Sequence, residues 1–134
     1  MESVSFQIPA GYGKIRAASE ALRDLLTRHQ VESAVVDGCE LALHELLANI
    51  VGHSYGEDEN RRIEVRLRVE RTRFFAETED DGSPAKIDLA KVSMPDPKEL
   101  QVGGYGVALI KMLMDGVEYH HKDGKNTWML LKAI

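Results

Sequence analysis

One apolar stretch with two polar residues inside it constrains the fold more than any other part of the sequence. It covers residues 40–55 and reads ELALHELLANIVGHSY. Its apolar side chains leave almost no side of a helix for water, which predicts a central, buried helix. Glu45 and Asn49 interrupt the pattern, and their four-residue spacing places both on one face. An unpaired buried polar group costs roughly 1 to 3 kcal/mol, and a charge costs more, so something polar must meet this pair.

The helix by itself leaves two interpretations of this pair open. Glu45 and Asn49 either belong to a functional site or form a hydrogen-bonded pair in the core or at a solvent-facing edge. One metal site is excluded, because the zinc-protease helix needs a second histidine four residues after His44, and that position holds Ala48.

Length and composition predict a single soluble domain spanning residues 1–134. The chain is 43% hydrophobic and 29% charged, with a formal net charge of -5 and with its basic residues scattered, which argues against a nucleic-acid surface. The lone Cys39 has no partner for a disulfide, which favours a reducing compartment. No apolar run approaches the roughly 20 residues of a membrane span, and the N-terminus does not resemble a signal peptide. We therefore expect a cytoplasmic protein that does not contact the membrane.

Hydrophobic periodicity predicts an α+β fold, a two-layer sandwich whose mainly antiparallel sheet is covered on one face by about three helices. Alternating apolar residues predict strands over 4–8, 63–69, 74–78, 117–121 and 127–131. Three- and four-residue spacing predicts helices over 15–29, from about residue 31 to residue 54, and over 107–114. Residues 79–106 are rich in Gly and Pro and predict a long loop, of which 89–102 form a short lid.

A first candidate ligand site follows the third predicted strand. There Asp80 and Asp81 precede Gly82. A carboxylate oxygen accepts a hydrogen bond from an exocyclic amine such as that of adenine, and Gly82 removes a side chain that would hinder a planar ligand. In isolation, however, this tripeptide is also a common turn.

A second candidate is the glycine-rich turn before the last helix, with Gly103, Gly104 and Gly106. Such a turn presents free backbone N–H groups and the positive end of the helix dipole, which suit phosphate. It matches neither the Walker loop nor the dinucleotide fingerprint. Asn49 could offer an oxygen to Mg²⁺, and Glu45 could orient or deprotonate a hydroxyl or water beside the terminal phosphate.

Taken in order, these three motifs resemble the N, G1 and G2 boxes of the GHKL ATPases, which share the Bergerat ATP-binding fold. The flanking residues 41–55, 80–84, 103–110 and 115–119 are similar to those of the RsbW-type anti-sigma factor serine kinases, over nearly the whole chain. The resemblance implies binding of ATP and Mg²⁺ and phosphorylation of a serine on a STAS-fold anti-anti-sigma protein. It also implies alternative binding of a sigma factor, and a homodimer.

The resemblance also assigns roles to individual residues. Glu45 corresponds to the catalytic base and Asn49 to the magnesium ligand. The expected nucleotide-binding residues are Asn49, Asp80, Gly82, Gly103, Gly104, Gly106 and, as the late polar residue near adenine, Thr127. Pro84 and Ala85 depart from the wider superfamily, which has a glycine and often an aromatic residue there. A non-catalytic nucleotide-binding partner-switching module is the alternative, and the presence of Glu45 favours the kinase.

Overall fold

The computed structural model describes residues 1–92 and 106–134. Five strands run over β1 Glu2–Pro9, β2 Arg62–Glu70, β3 Arg73–Asp80, β4 Gly116–Lys122 and β5 Lys125–Ala133. Three α-helices run over α1 Ile15–Arg28, α2 Ser33–Asn49 and α3 Gly106–Leu113. Three short turns complete the described chain: a 3₁₀ turn at Tyr12–Lys14, a π turn at Ile50–Ser54 and a second 3₁₀ turn at Leu89–Lys91.

The strands form one antiparallel sheet in the order β1-β2-β3-β5-β4. Alternate residues of β2, β3 and β5 are buried on one face, as the period-two pattern predicts. The apolar stripe of α1 and the buried side of α2 pack on that face, with Leu22, Leu43 and Leu46 fully buried. The predicted α+β sandwich with a largely antiparallel sheet is therefore confirmed. The prediction that α2 leaves almost no side for water is wrong on one side, where Asp37, Leu41 and His44 are exposed.

The third strand continues two residues further than its apolar pattern predicts. Glu79 and Asp80 pair with Thr127 and Asn126 of β5, so the strand ends at Asp80 and the loop begins after it. The apolar alternation stops at Ala76 because the last two inward-facing side chains, Thr78 and Asp80, are polar. Tertiary pairing, rather than hydrophobicity, extends this strand.

The central helix changes geometry where the sequence predicts that it continues. Regular α-helix ends at Asn49, and Ile50–Ser54 forms a π turn, closed by a 3.0 Å hydrogen bond from Tyr55 N to Ile50 O. A π turn holds one extra residue, which rotates the side chains that follow it. Its last residue, Ser54, consequently contacts the end of β3.

Parts of the predicted loop lie outside the described residues. Gly103 and Gly104 belong to this group, as does most of the predicted lid, of which the structure describes only residues 89–92. Within the described ranges, no helix is long and apolar enough to span a bilayer.

Candidate functional site

A cavity of about 450 Å³ opens between α2, the N-terminal end of α3, the ends of β3 and β5, and the loop after β3. Three of the residues singled out in the sequence line it, namely Asn49, Asp80 and Gly106. Its other lining residues are Ile50, His53, Ser54, Ser83, Pro84, Ala85, Lys86, Ile87, Val92, Val107, Tyr119, Asn126 and Trp128. A mainly apolar cleft with a few converging polar groups is the usual form of a small-molecule site.

Asp80 lines the sheet end of this cavity, and one of its carboxylate oxygens is unpaired among the described residues. The residue is only 4% exposed. Its Oδ1 accepts hydrogen bonds from the Ser54 hydroxyl, from Gly82 N at 3.0 Å and from Asn126 Nδ2 at 2.9 Å. Its Oδ2 is buried and has no hydrogen-bond partner among the described residues. A buried acceptor without a donor is costly, so a ligand with an N–H edge fits this position.

Asn126 fixes the orientation of that carboxylate, and the sequence motifs did not single it out. It is 1% exposed. Besides Asp80 Oδ1, its Nδ2 reaches Gly82 O at 3.1 Å and Ser83 O at 3.2 Å. Its Oδ1 accepts from the Tyr119 hydroxyl at 2.6 Å and lies 2.9 Å from His121 Nδ1. One carboxamide thus joins β5 to β4 and to the loop after β3.

Thr127, the expected late polar residue near adenine, does not line the cavity and is not part of this hydrogen-bonded group; its place near adenine stays a prediction. It pairs with Glu79 and His120 on neighbouring strands, and its side chain lies on the sheet face opposite the helices. Successive strand residues face opposite sides, so a shift of one position exchanges the two faces. The buried alternation of Trp128 and Leu130 could have identified Asn126 as the inward-facing residue.

Gly82 is required by a close approach between two backbone segments. A Cβ atom there would lie 2.3 Å from both the carbonyl oxygen and the hydroxyl of Ser54. The turn is closed by a 2.8 Å hydrogen bond from Ser83 N to that same carbonyl. Gly82 lines a shallow neighbouring pocket instead of the main cavity. In the structure, a side chain at position 82 is therefore excluded by Ser54, and not by a ligand in the main cavity.

The next residue, Asp81, is held by an aromatic and a basic side chain. Its Oδ1 accepts from Arg61 Nη2 at 2.6 Å and lies 2.7 Å from the Tyr55 hydroxyl, which itself accepts from Asp81 N. The Arg61 guanidinium, and then Tyr55, hold the pKa of this carboxyl below its ordinary value. Burial raises the pKa of Tyr55 to about 12, so its hydroxyl stays protonated at neutral pH. The turn is thereby anchored to the segment before β2.

Glu45, Asn49 and Gly106 meet at the helical end of the site. A Cβ atom on Gly106 would lie 2.9 Å from Asn49 Nδ2 and 3.3 Å from Glu45 Oε2. Both polar side chains are half-buried, and neither receives a hydrogen bond from another described residue. The first residue of α3 thus lies directly against the polar stripe of α2, where helix N–H groups favour an anion.

One side of the cavity between these two ends is closed by a wall, formed by residues 83–87 and Val92 of the loop after β3 and by Tyr119 and Trp128. The Tyr119 hydroxyl accepts a 2.8 Å hydrogen bond from Ala85 N, and the Tyr119 ring packs on Trp128 with centroids 4.6 Å apart. The cavity therefore has the buried Asp80 at one end, the Asn49 carboxamide at the other, and apolar surface between them. Glu45 does not line the cavity; it lies beside Asn49 against Gly106. This arrangement can hold a planar, donor-bearing ring with an anionic group attached.

The model of the family described as "Histidine kinase-like ATPase domain" matches residues 8–132. Among curated proteins, the chain is 21% identical to the serine-protein kinase RsbW of Listeria innocua in an alignment 134 positions long, which covers 96% of this chain and 85% of that one. It is 24% identical to the RsbW of Oceanobacillus iheyensis over 129 residues, covering 90% of this chain and 80% of the relative.

Two solved structures share the fold. The RsbU and RsbW domains of a Mycobacterium tuberculosis protein superpose with a TM-score of 0.72 at 18% identity, covering 99% of this chain and 32% of that chain. The SiaB-SiaC complex of Pseudomonas aeruginosa gives a TM-score of 0.65 at 17% identity, covering 98% of this chain and 89% of the matched one. Since the family model matches most of the sequence and the fold agrees with it, the chain belongs to the histidine kinase-like ATPase domain family.

Proposed function

We propose that this protein binds ATP with Mg²⁺ and transfers the terminal phosphoryl group to a serine of a partner protein. The observation that carries the proposal is the cavity itself. Asp80, with its unpaired oxygen, lies at one end, and Asn49 and Gly106 line the other end, with Glu45 beside them. Membership in an ATPase domain family and similarity to serine-protein kinases support it.

Adenine fits the sheet end because its exocyclic amine can donate to Asp80 Oδ2. Asp80 Oδ1 is already occupied by three donors, so the free oxygen is the one left for the base. A purine with a carbonyl at the equivalent position would place an acceptor against an acceptor and leave the buried oxygen unpaired. We therefore expect discrimination against guanine nucleotides.

The phosphates would extend toward the N-terminal end of α3, where Gly106 begins the helix. Gly103 and Gly104 remain proposed members of this phosphate turn. Asn49 would hold Mg²⁺ through its carboxamide oxygen, and the ion, when bound, would neutralise charge on the phosphates. Asn49 has no other described hydrogen-bond partner that would compete for that oxygen.

Glu45 is the proposed general base. Its Oε2 approaches the position of a Gly106 Cβ to 3.3 Å, so it lies beside the end of the site assigned to the terminal phosphate. The serine hydroxyl would attack that phosphorus as its proton passes to the carboxylate, and the bond to the leaving oxygen of ADP would break. A mere nucleotide binder would have no need of a carboxylate at this position.

The proposed acceptor is a STAS-fold anti-anti-sigma protein, with a sigma factor as the alternative partner, a homodimer as the assembly and the cytoplasm as the location. These assignments rest on similarity to proteins named RsbW. Residues 1–134 would act as one catalytic domain. Because much of the cavity is open, a docked protein can complete the site and present its hydroxyl in line with the phosphate.

The test is incubation of the purified protein with Mg-ATP and candidate STAS proteins, read by intact mass spectrometry. We expect one phosphate per acceptor, slow ATP hydrolysis without an acceptor, and little transfer from GTP. Rapid multiple-turnover hydrolysis with no acceptor would instead identify an ATPase. Tight partner binding without transfer would identify the non-catalytic partner-switching module.

A further inference from the structure

Lys111 connects two sides of the cavity that are distant in sequence. It lies in the last turn of α3, and its ammonium group donates to Leu89 O at 2.6 Å and to Val92 O at 3.0 Å. These carbonyls belong to the 3₁₀ turn Leu89–Lys91 and the residue after it. A lysine that binds carbonyls at the end of a helical turn also complements the partial negative charge there.

The turn that Lys111 holds is part of the cavity wall. Ile87 and Val92, on either side of it, line the cavity, and Leu89 packs against the hydrophobic core. The same wall is attached at its other end by the hydrogen bond from Ala85 N to Tyr119. Between these two attachments, the Asp88 side chain caps the 3₁₀ turn by accepting a hydrogen bond from Ala90 N.

We propose that Lys111 is a positioning residue that fixes the cavity wall relative to α3 and thereby sets the affinity for nucleotide; the second part rests on the function proposed above. The helix that carries Lys111 begins at Gly106, beside Glu45 and Asn49. The ammonium group therefore connects this wall to α3, the helix whose first residue lies at the proposed phosphate end of the cavity. Lys111 itself does not line the cavity.

The chain offers a matched control and a built-in probe. Lys91 lies in the 3₁₀ turn that Lys111 holds. Its side chain is 86% exposed, and its ion pair with Asp88 is weak, with Nζ 3.9 Å from Oδ2. Lys91→Met thus removes one positive charge beside the same turn but leaves the two hydrogen bonds of Lys111 in place.

Trp128 is the only tryptophan in the sequence, and it lines the cavity, so its fluorescence reports access to the site.

The experiment compares acrylamide quenching of Trp128 in the ligand-free protein and ATP affinity by calorimetry. Lys111→Met should increase quenching and raise the Kd for ATP about 3- to 10-fold, a modest loss because the ammonium is exposed. The kcat for transfer at saturating ATP should stay within about twofold, since no group that touches the reacting atoms changes. Lys91→Met should match the wild type. Lys111→Arg can still donate to both carbonyls, so its quenching and its Kd should be close to those of the wild type.

Equal quenching and equal Kd in the Lys111→Met and Lys91→Met variants would overturn the proposal, as would a fall in kcat at unchanged Kd. If the methionine variant does not fold, Lys111→Gln replaces it with the same expected directions. Because quenching is measured without nucleotide, it tests the positioning of the wall even if the wild-type protein binds no ATP. Failure of the proposed function is thus separable from failure of this inference.

Discussion

The two ends of the cavity differ in how completely the protein itself satisfies their polar groups. At the sheet end, Asp80 and Asn126 are almost fully buried, and they share a network that leaves one oxygen unpaired. At the helical end, Glu45 and Asn49 are half-buried and receive no hydrogen bond from another described residue. The hydrogen-bond network of the sheet end is thus formed without a ligand, whereas the side chains of the helical end remain available to bind charged groups of a ligand.

Burial explains this difference. A carboxylate inside the core is tolerated only if most of its acceptor sites are paired, and the surrounding bonds then hold it rigidly. A half-buried side chain on a helix keeps access to water and needs no such network. We therefore expect substitutions at the helical end to affect phosphoryl transfer or magnesium-dependent binding, and those in the buried network to affect recognition of the nucleotide base or folding.

The largest expected effect is at the helical end. Glu45→Gln preserves the shape of the side chain but removes its basicity, so we expect phosphoryl transfer to fall by about 10² to 10⁴. Single-turnover transfer to the acceptor, with ATP affinity measured in parallel, checks this. Affinity should remain near that of the wild type.

Asn49→Ala provides the contrasting variant, because it should weaken magnesium-dependent binding. Wild-type turnover in Glu45→Gln would show that the pair is structural, and the contrast between the two ends of the cavity would then disappear.

Asp80→Asn gives the next largest effect. The Asn oxygen can still accept the three bonds that Asp80 Oδ1 receives, so only the unpaired Oδ2 changes, from an acceptor to a donor. Folding should be retained while ATP binding loses roughly 1.5 to 3 kcal/mol. Calorimetry with ATP and GTP measures this loss, and equal affinity of the wild type for both nucleotides would contradict the adenine assignment.

The smallest expected effect sharpens the difference between neighbouring residues of β5. Asn126→Ala removes the amide that pairs with Asp80, Gly82 and Ser83, so we expect the free energy of unfolding to fall by about 1 to 3 kcal/mol. Thr127→Ala, on the other face of the sheet, should change it by less than about 0.5 kcal/mol. Urea unfolding of both variants decides the matter, and a larger loss for Thr127→Ala would refute the roles assigned here.

Most of the fold could be predicted from the sequence because its hydrophobic periodicities are strong. The alternation over 63–69 predicts a strand with one face buried, and the mainly apolar character of residues 41–51 predicts a largely buried helix. The approach of Glu45 to Asn49 also follows from helix geometry alone. These features are local, so they need no knowledge of the rest of the chain.

The buried network could not be read in the same way. The alternation with Trp128 and Leu130 indicates that Asn126 faces inward, but only the pairing register places it opposite Asp80. The position of Ser54 depends on the π turn, which has no clear signal in an apolar helix. A one-residue shift in β5 would replace Asn126 as a partner of the carboxylate, and one in the π turn would replace Ser54.

The sequence by itself determined the antiparallel α+β sandwich and the shared face of Glu45 and Asn49, because hydrophobic period and helical spacing act within a few residues of the chain. Only the tertiary structure decided that Asp80 keeps one free oxygen and that Lys111 reaches the wall beside Val92. Those contacts join segments up to 46 residues apart, as for Asn126 and Asp80. Their geometry depends on how the sheet and helices pack, and no local pattern records that packing.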